Sequence, residues 1–124
     1  MPDPTRLRLS RRAGFDLQAH SRATNSLLAA NVSRPGPWGN PCIVGVDGTR
    51  AECVHLYAQL VGGLVCLTAK ASLPAQETAM RHAQAHAREL IGVNAGCWCG
   101  PGPCHGDVLL ALGRAVMTCE VTDG

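Results

Sequence analysis

The chain has few aromatic side chains: one Phe, one Tyr and two Trp make up 3% of its 124 residues. A core without many rings must rely on Ala, Val and Leu. Each buries less area than an aromatic, so modest rather than extreme stability is expected. Lysine is scarcer still, with Lys70 the single one among eleven basic residues. No stretch approaches the ~20 consecutive apolar residues that span a bilayer. The opening Met1-Pro-Asp-Pro-Thr-Arg6 carries no apolar segment of the kind found in secretory signals. These absences lead to the expectation of a cytoplasmic protein with no membrane partner. Surplus charge is also missing. Eleven basic residues against nine acidic ones leave +2, which gives no electrostatic ground for nucleic-acid binding. A Gly-rich phosphate loop, a Gly-x-Ser-x-Gly elbow and a His-Glu-x-x-His metalloprotease pattern are absent as well.

What the chain does have is cysteine, seven in all. In a chain read as cytoplasmic, these are expected to be thiols or metal ligands rather than a disulfide framework, and an odd count leaves at least one unpaired within the chain. Four candidate ligands crowd into Cys97-Trp98-Cys99-Gly-Pro-Gly-Pro-Cys104-His105. Three thiolates and an imidazole make a full tetrahedral zinc set, although the C-x-C-x4-C-H spacing is not that of a C-x2-C knuckle. The same residues fit a second chemistry. A helix starting near Asp107 puts Cys104 at its N-terminus beside a histidine, and both features favour thiolate. Cys104 is then a candidate nucleophile, with His105 and Asp107 as candidate acid–base groups. Free amides at that helix start could also hold an anion. The bland reading makes the cysteines small buried hydrophobes and His105 a helix cap.

A second loop, Arg34-Pro-Gly-Pro-Trp-Gly-Asn-Pro41, holds three Pro and three Gly or Asn residues and cannot be regular structure. It can present Arg34, Trp38 and Asn40 to a ligand as a charge, a stacking plane and an amide, or it can be a corner in which Trp38 covers the core. Arg50 at a helix start opposes the helix dipole unless an anion is near, which points weakly to phosphate or carboxylate. His82 and His86, four apart, are a conceivable metal pair, with surface histidines at an apolar boundary as the plainer reading. Cys42, Cys53, Cys66 and Cys119 sit in apolar runs and read as core.

The element reading runs as follows. Residues 1–5 form a frayed tail, Arg6–Arg11 alternates as a half-buried strand, and 13–26 shows no period. Leu27–Val32 is a second, buried strand and Cys42–Val46 a brief third. Asp47-Gly48 turns, and Thr49-Arg-Ala-Glu52 is a capping box for a helix from about Arg50 to Leu60 that ends at Gly62-Gly63. Leu64–Thr68 is undecided between strand and helix. Ser72 starts a helix that runs to about Ile91, with Ala79, Met80, Ala83, Ala87, Leu90 and Ile91 as its buried face. Val93–Cys99 is a strand, and Asp107 to about Met117 is a strongly apolar last helix. The order implies one α/β domain over 1–124, with helices packed on a short mixed sheet. The motif loops 34–41 and 97–107 are expected to converge at one end of that sheet.

Taken together, Arg34-Pro-x-x-Trp38-Gly-Asn-Pro41, Asp47-Gly-Thr-Arg50 and Cys97-Trp-Cys99-x4-Cys104-His105-x-Asp107-Val-Leu resemble domain-of-unknown-function family 4326, small proteins of bacteria and their phages. The resemblance covers about residues 6–116. It implies that Arg34, Trp38, Asn40, Cys97, Cys99, Cys104, His105 and Asp107 are signature positions, and it supplies no reaction. The chain departs from the family pattern at Cys42, where an aromatic usually follows Asn-Pro, and over 61–96, which is Ala-rich and lacks the usual charged turn. The functional expectation is a metal (zinc) or thiol site on Cys97, Cys99, Cys104 and His105. Arg34, Trp38, Asn40 and Arg50 would bind an anionic, nucleotide-like small molecule. The alternative is a non-catalytic interaction module, such as a phage protein that binds a host target, in which the Cys loop is structural.

Overall fold

The computed structural model describes residues 3–34, 36–99 and 102–123, with side chains described as far as Thr118. The expectations for Pro35, for the Gly100-Pro101 bend and for the side chain of Cys119 lie outside the described residues. Three short strands form the centre: β1 (Arg6–Arg8), β2 (Ala29–Asn31) and β3 (Asn94–Cys97). Their order is β1-β3-β2 and both pairings are parallel, with Leu7 opposite Gly96 and Ala30 opposite Ala95. The α/β expectation is met, but the sheet is parallel rather than mixed. Every connection between these strands passes through at least one helix, which is what parallel neighbours require.

β3 is buried along its whole length. Successive residues point to opposite faces of a strand, and the environment divides accordingly. On one face, a Cβ at Gly96 would lie 3.1 Å from the Leu17 methyls, so helix α1 (Leu17–Asn25) rests directly on the strand. Asn94 shares that face. Its Oδ1 accepts from the Thr5 amide at 2.8 Å and from Asn25 Nδ2 at 2.9 Å, and its Nδ2 donates to Ser21 Oγ at 2.7 Å and to Asn25 Oδ1 at 2.8 Å. Thr5 also accepts from the Ala95 amide, so the expected frayed tail is already tied to the sheet at that point. On the other face, Ala95 and Cys97 join the main core with Val32, Trp38, Tyr57, Leu60, Ala79, Ala83, Leu90, Leu109 and Leu110. That core is formed with α2 (Arg50–Val61), α3 (Leu73–His86), the 3-10 turn Ala87–Leu90 and α4 (His105–Asp123).

Helix α1 was not expected. It is capped by Asp16, whose carboxylate accepts from the Gln18 and Ala19 amides, and its one fully buried residue is Ser21. Without an apolar stripe it leaves no period to read. The capping box at Thr49 and Glu52 forms as expected and α2 follows it. Cys42–Val46 is not a strand. The Asp47 carboxylate accepts from the Ile43 amide at 2.9 Å and the Asp47 amide returns to the Ile43 carbonyl at 2.8 Å, curling the segment on itself. Leu64–Thr68 is neither strand nor helix. The buried Gln76 side chain holds it from within, accepting from the Cys66 amide and donating to the Cys66 carbonyl. Cys66 is accordingly half-buried on a loop and not in the core. Of the expected face of the third helix, Ala79, Ala83 and Leu90 are buried, while Met80, Ala87 and Ile91 lie at its margin.

Candidate functional site: a thiol cluster at the floor of a cleft

β3 ends at Cys97, and the chain returns two residues after Gly102 with Cys104, immediately before α4. The two sulfurs come to 3.3 Å. Cys99 joins them, and the sulfurs of Cys97, Cys99 and Cys104 all lie within 4.8 Å of one another. Cys97 and Cys104 are buried and Cys99 is half-buried. The Cys104 sulfur also receives the Gly106 amide at 3.3 Å, so it occupies the place of a helix-capping acceptor. A Cβ at Gly106 would stand 3.5 Å from both Cys104 Sγ and Arg6 Cδ, an ordinary contact distance.

Electrostatics single out Cys104. Its hydrogen bond with Cys97 favours thiolate most. The contacts from His105, the Gly106 amide and Cys99 add to this, and together they outweigh burial, so its pKa falls well below that of a free thiol. Cys97 moves the opposite way, first because it donates to Cys104 and then because it is buried. The two sulfurs thus share one hydrogen bond in which Cys104 has the stronger thiolate character. The Cys99 thiol is raised, chiefly by burial and then by Cys104, with Arg50 opposing.

His105 lies beside the cluster but outside its tight core. Nδ1 is 4.0 Å from Cys104 Sγ, and the three-sulfur group does not extend to it. Its Nε2 bonds the Val32 carbonyl, which accepts only, so Nε2 carries a hydrogen and Nδ1 is the nitrogen turned to the cluster. A ring fixed this way by a backbone carbonyl is the usual posture of a metal-bound histidine. Tyr57 meets its ring edge-on at 5.4 Å.

Above the cluster opens a cleft of about 440 Å³ lined by Arg34, Asn40, Arg50, Trp98, Cys99, Cys104 and His105, with Ser33, Cys42, Val44, Cys53, Val54 and Pro103 completing its wall. Both motif loops therefore meet beyond the C-terminal ends of β2 and β3, where parallel sheets usually place their ligands. Arg50 is braced by donating from Nε to the Pro103 carbonyl. The stem of Arg34 crosses Gly39, where a Cβ would fall 2.5 Å from Arg34 Cγ. The fit to a metal is good in one respect and incomplete in another. Zinc–sulfur bonds of ~2.3 Å at tetrahedral angles put the sulfurs ~3.8 Å apart, within the span of this group, while the three sulfurs leave a fourth ligand to be supplied.

Two expected site residues, Trp38 and Asp107, lie away from the cleft, and a third, Asn40, is engaged within its wall. Trp38 is buried, not offered to a ligand. It meets His82 edge-on at 4.4 Å, and its carbonyl accepts the Tyr57 hydroxyl at 2.8 Å. Asn40 reaches the cleft wall, but its amide is engaged, donating to the Cys53 carbonyl and accepting from the Cys42 amide, both at 2.9 Å. Asp107 is turned to Arg6, 3.0 Å from its guanidinium, and does not line the cleft. The ring that does line it is Trp98, 43% exposed, with the Arg11 guanidinium 4.9 Å from its centre. Its place between two ligand-type cysteines was the only sequence signal for it. His82 and His86 stack on each other at 4.4 Å, and His86 engages Glu89, so they read as packing rather than a metal pair. Cys42 and Cys53 are buried as expected, and burial pushes the Cys42 thiol up to about 11.

Fold and site together define a small parallel α/β protein with a thiol-floored, arginine-lined cleft. The chain belongs to the family described as Domain of unknown function (DUF4326), whose model matches residues 16–115. Comparison with curated proteins and with solved structures finds no match. Among the described residues no helix is long and apolar enough to cross a membrane.

Proposed function

We propose that this protein holds a zinc ion on Cys97, Cys99 and Cys104, with the fourth position toward the cleft beside His105 Nδ1, and that the cleft binds an anionic, nucleotide-sized ligand. The carrying observation is the convergence of three sulfurs within 4.8 Å, two of them, those of Cys99 and Cys104, on residues that line the cleft. The ligand reading draws on Arg34 and Arg50 in the wall and on Trp98 as a stacking plane. Its volume falls within the ~300–1,000 Å³ usual for small-molecule sites. Zinc there would supply Lewis acidity to whichever ligand atom reaches the fourth position. His105, fixed through Nε2, either completes the coordination or accepts a proton at Nδ1.

Elemental analysis of the purified protein tests this. About one equivalent of zinc is expected, and it should be lost from Cys97→Ser, Cys99→Ser and Cys104→Ser. Thermal shifts with nucleoside monophosphates, abolished in Arg34→Met and Arg50→Met, test the ligand. A metal-free protein whose Cys104 is rapidly alkylated by iodoacetamide would instead support a reactive thiol, the reading favoured by its lowered pKa. The interaction-module reading draws on Ile43, Val44 and Val46, which are each about half exposed on one loop.

A further inference from the structure

We infer that Arg6 is a positioning residue of the thiol site, supplying from β1 the positive charge that a three-thiolate metal centre requires. The inference rests on the zinc reading above. Zinc with three thiolates and a neutral fourth donor carries a net charge of −1, and burying an uncompensated charge is costly. Arg6 is placed to offset it. Its Nη1 donates to the Gly102 carbonyl at 2.9 Å and to Asp107 Oδ2 at 3.0 Å. Its stem runs past Gly106 beside the cluster, where a single Cβ would stand 3.5 Å from both Arg6 Cδ and Cys104 Sγ. Burial works against its charge, but Asp107, Cys104 and Cys97 more than offset this and hold its pKa above the ordinary value. The side chain is only 20% exposed. One guanidinium thus joins the strand, the loop before Cys104 and the first turn of α4.

Nothing in the family match points to this residue, because the match begins at residue 16, beyond β1. Arginine suits the task better than lysine, since its planar fork serves several acceptors at once. Asp107 separates a charge role from a mere staple. A staple needs the carboxylate, whereas a charge acting on sulfur is partly neutralised by it.

The test compares wild type, Arg6→Met, Arg6→Lys and Asp107→Asn as full chains, each first checked for native circular dichroism. Cobalt(II) and zinc(II) affinities are measured by chelator competition, and the thiolate-to-cobalt charge-transfer band is recorded. Arg6→Met should weaken both metals about 10- to 100-fold, the usual effect of losing an outer-shell partner, and shift the band. Arg6→Lys should recover most of the loss, and Asp107→Asn should bind as tightly as wild type or tighter. Equal affinity and an unchanged band in a folded Arg6→Met overturn the inference, as does an Asp107→Asn as weak as Arg6→Met. Should Arg6→Met not fold, Arg6→Gln takes its place with the same expectations. Should wild type bind neither metal, the zinc reading is what fails, and Arg6 is read from iodoacetamide alkylation of Cys104 at fixed pH. A several-fold slowing in Arg6→Met with recovery in Arg6→Lys keeps its charge role, and equal rates end it.

Discussion

Single side chains in this protein carry contrasting duties within a few residues of one another. Asn40 sits at the cleft yet spends its amide on the Cys53 carbonyl and the Cys42 amide. Asn40→Ala strands both groups, and a lost partner in a buried pair costs about 1–3 kcal/mol. Urea denaturation should show that loss while zinc content stays at the wild-type level, which would mark Asn40 as a brace. His82 offers a pH reading. Burial lowers its pKa from 6.5, with His86 adding to the effect, and its Nε2 is buried without a partner among the described residues. The fold therefore prefers the neutral ring. Its contribution is complete above the unfolded value of 6.5 and is lost as pH falls through the lower folded value. The urea midpoint should drop between about pH 7.5 and pH 5, and His82→Gln should flatten that drop. An equally steep profile in the variant would remove His82 from the account. The cysteine cluster was legible as a sequence because four candidate ligands stand within nine residues. The choice between Trp38 as a ligand plane and Trp38 as cover for the core was not, since its acceptor role for Tyr57 and its contact with His82 join residues 19 and 44 positions away.

Elements were readable where their ends carry side-chain chemistry. The Thr49–Glu52 capping box located the start of α2, and Ser72 with Pro74 located the start of α3, because those signals are local. Polar α1 leaves no period to read, and the curled 42–46 segment resembles a strand in sequence, because burial there is organised by hydrogen bonds: Asn94 and Ser21 in one case, Asp47 in the other. Helix packing supplies a prediction at this scale. A Cβ on Gly113 would lie 2.7 Å from the Leu90 carbonyl oxygen and 3.1 Å from its carbon, both backbone atoms. Alanine is the better helix former by about 1 kcal/mol, but forcing α4 away from the 3-10 turn costs about 1–3 kcal/mol. Gly113→Ala should therefore be destabilising in chemical denaturation despite the gain in propensity, and a stabilised variant would show that the two segments have room to part.

At the scale of the whole molecule, the thiol cluster bridges parts of the chain that the core already joins. Cys97 and Cys99 come from the end of β3, Cys104 from the start of α4, and α4 buries Leu109 and Leu110 in the same core as Ala95. A zinc finger has little core and unfolds without its metal. Here Val32, Tyr57, Leu60 and Leu109 are buried in a core that extends well beyond the cysteines. Metal should therefore stabilise a fold that survives its removal. At a thousandfold excess over its dissociation constant, a ligand of the native state adds about 4 kcal/mol. For a domain of this size that corresponds to roughly 10–20 °C in Tm. Chelator-treated protein should keep its helical circular dichroism and melt lower by that amount, with zinc restoring the original Tm. Complete loss of helicity on chelation would mean that the sheet and α4 depend on the metal for their union. An unchanged Tm with zinc demonstrably removed would mean that the cluster contributes nothing to holding them together.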